Sequence, residues 1–362
     1  MTFCFDNSCI NLYMVFIMVG KYIVVHSGAR DQYKLAETLF KHGKLAFLVT
    51  DDIIFRKNYK NLFPARYVKI SWMGLLIRSI LKVYNQGDQM QRLKNYFLGR
   101  TAGKLSKRYK IPLIALQEYA YFAYKYSDVR PRIVFQYHPH SNSNKKILEE
   151  EIKLHPESES FKKELSIYTS QKIYEANEEL NITDYFIAAS SFTKQTLVEN
   201  GADPNTVFVA TYGVNITKYP FKLRDNPRSI NFIFVGSFVE RKGVYYLLNA
   251  VKMLEDEGYD FKLRIVARSD FDRSIIQRYR LRNVEININL NHDELIKLYH
   301  TSDVFVFPSL FEGFAFVIVE AMSTGLPVIT TPRTIGLDIV KDGEEGFIIE
   351  PSNVDALYEK MK

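Results

Sequence analysis

Val304 to Phe307 is a short apolar run that stops at Pro308-Ser309. A loop carrying Glu312 leads from it into an apolar helix, and Gly325 and Pro327 end that helix before Val328-Ile329-Thr330 opens a second strand. Strand, helix and strand in this order give a parallel βαβ unit, which constrains the chain to an α/β fold. The helix carries a second acid, Glu320, eight residues after the first. A carboxylate on an apolar helix is costly unless something pairs with it. Two of them beyond a strand's carboxyl end point at the crevice where open α/β sheets take ligands. An ionised carboxylate accepts several hydroxyl hydrogen bonds, and the helix start at Gly313-Phe314-Ala315 offers backbone N–H groups to a phosphate. Hydroxyls plus phosphate describe a sugar nucleotide. The plainer reading makes Glu312 a helix cap and Glu320 a solvated residue.

The same alternation occurs twice. In the first half, Tyr22 to Ser27 reads as a buried strand. Gly28-Ala29-Arg30 leads into a helix bearing Leu35, Ala36, Leu39 and Phe40, with Gly43 at its end, and Leu45 to Val49 follows as a strand. Further strands are expected at Ile133 to Tyr137 and Asp184 to Ala189, with a charged helix near Glu157 to Leu180 between them. Ser190 or Ser191 caps a helix that runs to Gly201. Ile216 to Ser229, with Pro220 and Pro227, reads as a linker. The pattern then restarts with a strand at Asn231 to Gly236 and a helix at Gly243 to Glu257. Strands follow at Lys262 to Ala267 and Val284 to Ile288, and Asn291 with Glu294 marks a capped helix start. Two doubly wound halves facing a cleft are expected. The first half lacks G-x-G-x-x-G spacing, which argues against a dinucleotide fingerprint.

With 362 residues, 47% of them hydrophobic, the chain can build two cores and is not disordered. Its two cysteines, Cys4 and Cys9, are no disulfide framework and fit a reducing cytosol. The apolar run Ile10 to Val19 is too short to span a bilayer and lacks a basic leader and a cleavage site. Residues 1–17 are therefore expected to be an extension ahead of Met18. The net charge of +7 is concentrated between Arg56 and Lys110, where fourteen Lys/Arg face one acid, Asp88. Within that segment Ile70 to Tyr84 is apolar with basic interruptions and a Trp. It reads either as a surface that docks on anionic lipid or as a core helix with a solvated basic face. Nucleic acid is not expected as a partner, because no helix-turn-helix, zinc-finger or RNA-binding signature accompanies the charge.

The run Pro308-Ser309, Glu312-Gly313-Phe314, Glu320-Ala321-Met322 and Gly325-Leu326-Pro327-Val328-Ile329 resembles the donor-site signature of family 4 glycosyltransferases, the group 1 glycosyl transferases of GT-B fold. The likeness extends in order from residue 22 to 362 and is weakest over 55–130. It implies an acceptor-side Rossmann-like domain over 18–218 and a nucleotide-sugar-binding one over 230–362. It also implies that such chains continue beyond the helix in which this one stops, crossing back to the first domain.

Transfer from a sugar nucleotide needs a leaving diphosphate stabilised as it gains charge. Arg241 and Lys242, between a strand and a helix, are placed to do that, although Ser237 stands where the family often has another arginine. The resemblance implies that Glu320 holds the ribose, Glu312 the sugar hydroxyls, and the N–H groups from Gly313 through Phe314 and Ala315 to Phe316 the diphosphate. Gly28 belongs to the glycine-containing loop on the acceptor side. A histidine near the Ile133–Tyr137 strand should contact the donor sugar; His138 is the first choice and His140 the alternative. Asp270-Phe271-Asp272 has the D-x-D form that binds metal in the other large glycosyltransferase fold, and Asp51-Asp52 is a still weaker candidate. The resembled family uses no metal there, so neither metal nor cofactor is expected. The implied activity is hexosyl transfer with retention, from a UDP- or GDP-sugar to a glycan or lipid-linked acceptor. The implied place is the cytoplasm, peripheral to the inner face of the plasma membrane. The rival readings are another sugar-nucleotide enzyme, an epimerase or phosphorylase, or an inactive polyanion binder.

Overall fold

The computed structural model describes residues 20–28, 33–52, 62, 64–84, 88–223, 229–267 and 273–362. The first sheet has seven parallel strands in the order β3-β2-β1-β4-β5-β6-β7. They are β1 Tyr22–Val25, β2 Leu45–Thr50, β3 Val68–Ile70, β4 Leu113–Leu116, β5 Ile133–Gln136, β6 Tyr185–Ala188 and β7 Val207–Val209. The second has six, in the order β10-β9-β8-β11-β12-β13. These are β8 Ile230–Val235, β9 Phe261–Ala267, β10 Val284–Ile288, β11 Val304–Phe307, β12 Val328–Thr330 and β13 Gly346–Ile348. Strands covered on both faces need apolar side chains on both, which is why β1 and β4 are unbroken apolar runs and β5 is apolar up to Gln136, all three buried throughout. In each sheet the strand order reverses once, between β1 and β4 and between β8 and β11, and the carboxyl ends of those strands define the crevice.

Fourteen helices, counted among the described residues, cover the sheets. In the first half they are α1 Lys34–Lys41, α2 Trp72–Tyr84, α3 Asp88–Tyr109, α4 Ala120–Lys125, α5 Ser141–Leu154, α6 Glu159–Ser166, α7 Ser170–Ile182 and α8 Ser191–Glu199. The second half has α9 Val244–Asp256, α10 Arg273–Tyr279, α11 His292–His300, α12 Phe316–Ser323, α13 Gly336–Ile339 and α14 Val354–Met361. Helix α9 buries Val244, Leu247, Leu248, Val251 and Leu254, the stripe its sequence spells out. Asn291 and Glu294 form a complete capping box on α11. The single charged helix expected over 157–180 is two helices, α6 and α7, with Ser158 and Thr169 as separate N-caps.

The two halves are joined by polar contacts between buried or half-buried groups. Tyr246 O–H on α9 donates to Glu151 on α5 (2.5 Å), and His155 meets the same hydroxyl at 3.1 Å. The Ser191 N–H donates to Asp338 (3.0 Å), and Thr193 O–H to the Gly313 carbonyl (3.3 Å). No helix among the described residues is long and apolar enough to cross a membrane.

Candidate functional site

Past β8 the chain makes one 3-10 turn, Glu240–Lys242, and enters α9 through Gly243 at φ 76°. A Cβ there would lie 2.0 Å from the Pro308 carbonyl oxygen, so both the left-handed backbone and the close approach require glycine. That approach sets Arg241 and Lys242 against the loop after β11. Arg241 Nη1 lies 2.9 Å from Glu312 Oε1, Lys242 Nζ pairs with the same oxygen, and Ser309 Oγ donates to it at 3.2 Å. Arg241 also pairs with Glu164 of α6 through Nε at 2.8 Å. Aromatic walls line the cluster, with Arg241 over Phe311 and Lys242 over Phe307, each 5.2 Å from the ring centre. Burial alone would raise the Glu312 carboxyl, but Lys242 and Arg241 override it and bring it down to about 2. Glu312 is therefore ionised at neutral pH and occupies the two cations that the sequence assigns to a diphosphate.

The loop continues with Gly313, whose absent Cβ would lie 1.7 Å from the Tyr137 carbonyl oxygen of the first half. This glycine permits a close approach between loops of the two sheets. Among the described residues the N–H groups of Gly313, Phe314, Ala315 and Phe316 have no backbone acceptor, and α12 starts only at Phe316, with Ala315 left-handed at φ 66°. Phe314 and Phe316 pack against Tyr212, at 5.3 and 5.1 Å between ring centres. One turn along α12, Glu320 is half-buried. Burial raises its carboxyl, opposed by a hydrogen bond from Tyr219 and by the nearby His292 and Lys34.

From the first half, the half-buried His138 faces Glu312 closely enough to help lower its carboxyl. Its main chain is clamped: its N–H donates to Gln117 (2.8 Å), and its carbonyl accepts from Gln136 (2.9 Å). His140 is buried and acts instead as the N-cap of α5, its Nδ1 accepting the Asn142 N–H at 3.3 Å. Burial pulls its pKa down to about 4, so the ring is neutral. The two histidines thus differ in place: His138 lies beside Glu312, and His140 is a buried helix cap.

Gly28 does not present an open face. Its N–H donates to Asp51 Oδ1 (2.9 Å), and the Arg78 guanidinium covers it, 2.3 Å from where a Cβ would be. Asp51, the weak metal candidate, is fully buried between two cations, Arg78 at 2.8 Å and Lys94 at 3.7 Å. Ser27 O–H donates to Asp51 Oδ2 (2.8 Å), and Lys94 donates to Ser27 Oγ (2.8 Å). Sequence reasoning missed this cluster, because its members lie at 27, 51, 78 and 94 with no local spacing to link them. Arg78 accordingly faces inward rather than toward lipid. Asp270 and Asp272 lie outside the described residues. Among those described, no three His, Cys, Asp or Glu side chains converge on one point.

Residues 215–362 match the family described as glycosyl transferases group 1. The chain is 29% identical over 195 residues to the capsular polysaccharide biosynthesis glycosyltransferase CapM of Staphylococcus aureus, covering 50% of this chain and 51% of that one. It spans about half the length of the curated relatives it matches. Among solved structures it is similar to sucrose-phosphate synthase of Thermosynechococcus elongatus, with TM-score 0.63 and 16% identity over 94% of this chain and 88% of that one. It is also similar to Anabaena HepE in complex with UDP and glucose, with TM-score 0.60 and 14% identity over the same shares. At such identities the likeness shows the fold, which is the two-domain α/β arrangement of GT-B glycosyltransferases.

Proposed function

Residues 215–362 belong to the group 1 glycosyl transferases, and on that premise we propose that the chain moves a hexose from a UDP- or GDP-sugar to a glycan or lipid-linked acceptor. The proposed transfer retains the anomeric configuration and uses no metal ion. The observation that carries this reading is Glu312, held by Arg241 and Lys242 beside four backbone N–H groups at the carboxyl end of β11. A diphosphate entering there replaces the carboxylate as the partner of both cations, and the freed Glu312 turns to the sugar hydroxyls. Glu320 accepts from the ribose, and His138 lies against the sugar. The bond from the anomeric carbon to the diphosphate oxygen breaks while an acceptor hydroxyl oxygen attacks on the same face. Its proton passes to the departing phosphate oxygen. Two fixed cations and oriented amides in a site walled by Phe307 and Phe311 stabilise the charge as it develops on that oxygen. CapM's name places it in capsular polysaccharide biosynthesis, and HepE holds UDP and glucose; both support a nucleotide-sugar donor and a glycan acceptor. The proposed setting is the cytoplasmic face of the plasma membrane, reached through the exposed Trp72, Met73 and Leu76 of α2.

The test is a donor screen with UDP- and GDP-hexoses in EDTA, with the product's anomeric configuration read by NMR. Beside it, Glu320→Ala is expected to weaken nucleotide binding by about 1.5–3 kcal/mol, the range for a hydrogen bond to a charged group. Unchanged UDP and GDP affinity by calorimetry in the folded variant removes Glu320 from the site. Epimerised or phosphorolysed donor in place of transfer product overturns the reaction type.

A further inference from the structure

The first half holds a cavity of about 590 Å³ between α3, α7 and the carboxyl ends of β4 and β5. We infer that it seats the acceptor, and that what it seats is an uncharged sugar ring rather than a phosphate or an acidic group. The inference rests on the transferase reading above.

Three buried amides line this cavity: Asn95, Gln117 and Gln136. Each spends one end on the protein. Gln117 accepts the His138 N–H through Oε1, Gln136 donates to the His138 carbonyl through Nε2, and Asn95 Oδ1 accepts from Gln91 at 3.4 Å. Among the described residues, the other end of each is left to the cavity: two NH₂ groups and one carbonyl. Those ends open onto the cavity, and a ligand that both donates and accepts can replace water at all three. Vicinal hydroxyls do both.

The charges lining the cavity are largely spent on one another. Arg92 pairs with Glu175 at 2.6 Å and Lys172 with Glu118 at 3.5 Å, bridging α3 to α7 and α7 to the loop after β4. Glu179, buried on α7, accepts the Tyr121 N–H at 2.9 Å. Burial raises its carboxyl to about 8, so at neutral pH it is mostly the uncharged acid. With its cations paired and carboxyl groups in excess, the cavity repels an anion. Phe122, Ile167 and Leu180 supply apolar surface for the C–H face of a ring. Its volume lies within the range of about 300–1,000 Å³ usual for small-molecule sites.

Its position fits the acceptor's role. Gln117 and Gln136 hold the main chain of His138, and the adjacent Tyr137 carbonyl is the point against which Gly313 packs. The cavity therefore lies one loop away from Glu312.

Ligand-observed NMR on the full chain, with methyl hexopyranosides of glucose, galactose, mannose and N-acetylglucosamine, tests this directly. At least one should bind, and inorganic pyrophosphate should not displace it. Asn95→Phe fills the cavity, and Ile167→Trp narrows it from a half-exposed position that leaves the core intact. Each should weaken glycoside binding by about tenfold or more, the scale of one lost hydrogen bond to a ring. UDP and GDP affinity, and slow donor hydrolysis without acceptor, should stay at the wild-type level in both. No glycoside binding to wild type, binding that both variants retain, or displacement by pyrophosphate overturns the inference. Loss of nucleotide binding in the wild type instead sinks the transferase reading, so the two failures are distinguishable.

Discussion

Each half of the molecule keeps one buried carboxylate between an arginine and a lysine, just past the carboxyl ends of its strands. In the first half it is Asp51 with Arg78 and Lys94; in the second it is Glu312 with Arg241 and Lys242. The surroundings differ. Asp51 also takes the Gly28 N–H and the Ser27 hydroxyl, so its four partners come from its own half. Glu312 sits on the seam: its arginine reaches Glu164 of the other half, and the next residue packs against Tyr137. The first cluster fastens a loop and two helices to their sheet. The second holds its carboxylate where a ligand's anion can take its place.

The largest effects test that difference. Removing either carboxylate leaves a lysine without its ion pair and an arginine with only its second acid, Asp52 for Arg78 and Glu164 for Arg241, so Asp51→Ala and Glu312→Ala should each cost about 3 kcal/mol in denaturant unfolding. Their ligand effects should diverge. Asp51→Ala should leave UDP and GDP affinity near wild type. Glu312→Ala should raise it, because the competing carboxylate is gone, while abolishing most of the turnover. Parallel changes in nucleotide affinity would break the comparison.

Acid titration sharpens it. The folded carboxyl of Glu312 lies at about 2, below its ordinary value of 4.5. A depressed carboxyl contributes stability that is fully present above the unfolded value and is lost as pH falls from about 4.5 toward 2. The loss should be roughly 3 kcal/mol, by the usual conversion of pKa into free energy. Urea midpoints measured over that window should fall less steeply in Glu312→Gln than in wild type. Equal slopes would mean that the pair contributes nothing to folding.

Lys242→Ala should lower turnover by about 10² or more, the scale of losing one preorganised electrostatic contact. Lys94→Ala, which removes the matching lysine of the first cluster, should change turnover by less than about threefold once corrected for folded fraction. Strict dependence of the wild type on a divalent metal would move the charge stabilisation away from Lys242.

The members of the second cluster, though not their pairing, were legible in the sequence because Pro308 to Glu320 is one short run and Arg241-Lys242 sits at a strand–helix junction. The first was not. Helix α3 buries Lys94, Asn95, Gly99, Ala102, Gly103 and Ser106, with Leu98 the sole large apolar residue on that face, so no hydrophobic stripe announces it. Its small residues are there for contact: a Cβ at Gly103 would lie 2.3 Å from the Ala123 carbonyl oxygen on α4. Helix α5 escaped notice for a related reason. It opens Ser-Asn-Ser-Asn-Lys-Lys, and its cap is a histidine ring rather than a hydroxyl or carboxylate. Strands and the helix α9 were readable because burial on both faces, or on one stripe, leaves a pattern in the side chains. Polar clusters assembled across 24 to 67 residues leave none.

The smallest effect concerns the surface of α2 in the first half. Trp72, Met73 and Leu76 are 69%, 47% and 54% exposed within two turns of helix, more apolar surface than a solvated helix face needs. Arg78 is spent on Asp51, and α3 brings a further cation to this face. Thr101 O–H donates to Ser71 Oγ (3.2 Å), which sets the turn of α3 that carries Lys104 against the Trp72 end of α2. If this face docks on anionic lipid, binding to vesicles should rise with phosphatidylserine and fall with salt, since each cation near such a surface is worth about 1 kcal/mol. Trp72→Ser with Lys104→Glu should then reduce vesicle binding while leaving UDP affinity and unfolding midpoint unchanged. Arg78→Glu should instead cost stability through Asp51, which separates the inward cation from the outward ones. Wild-type protein that ignores anionic vesicles at low salt would leave α2 as a solvated face with a basic border, and the first half would meet its acceptor from solution.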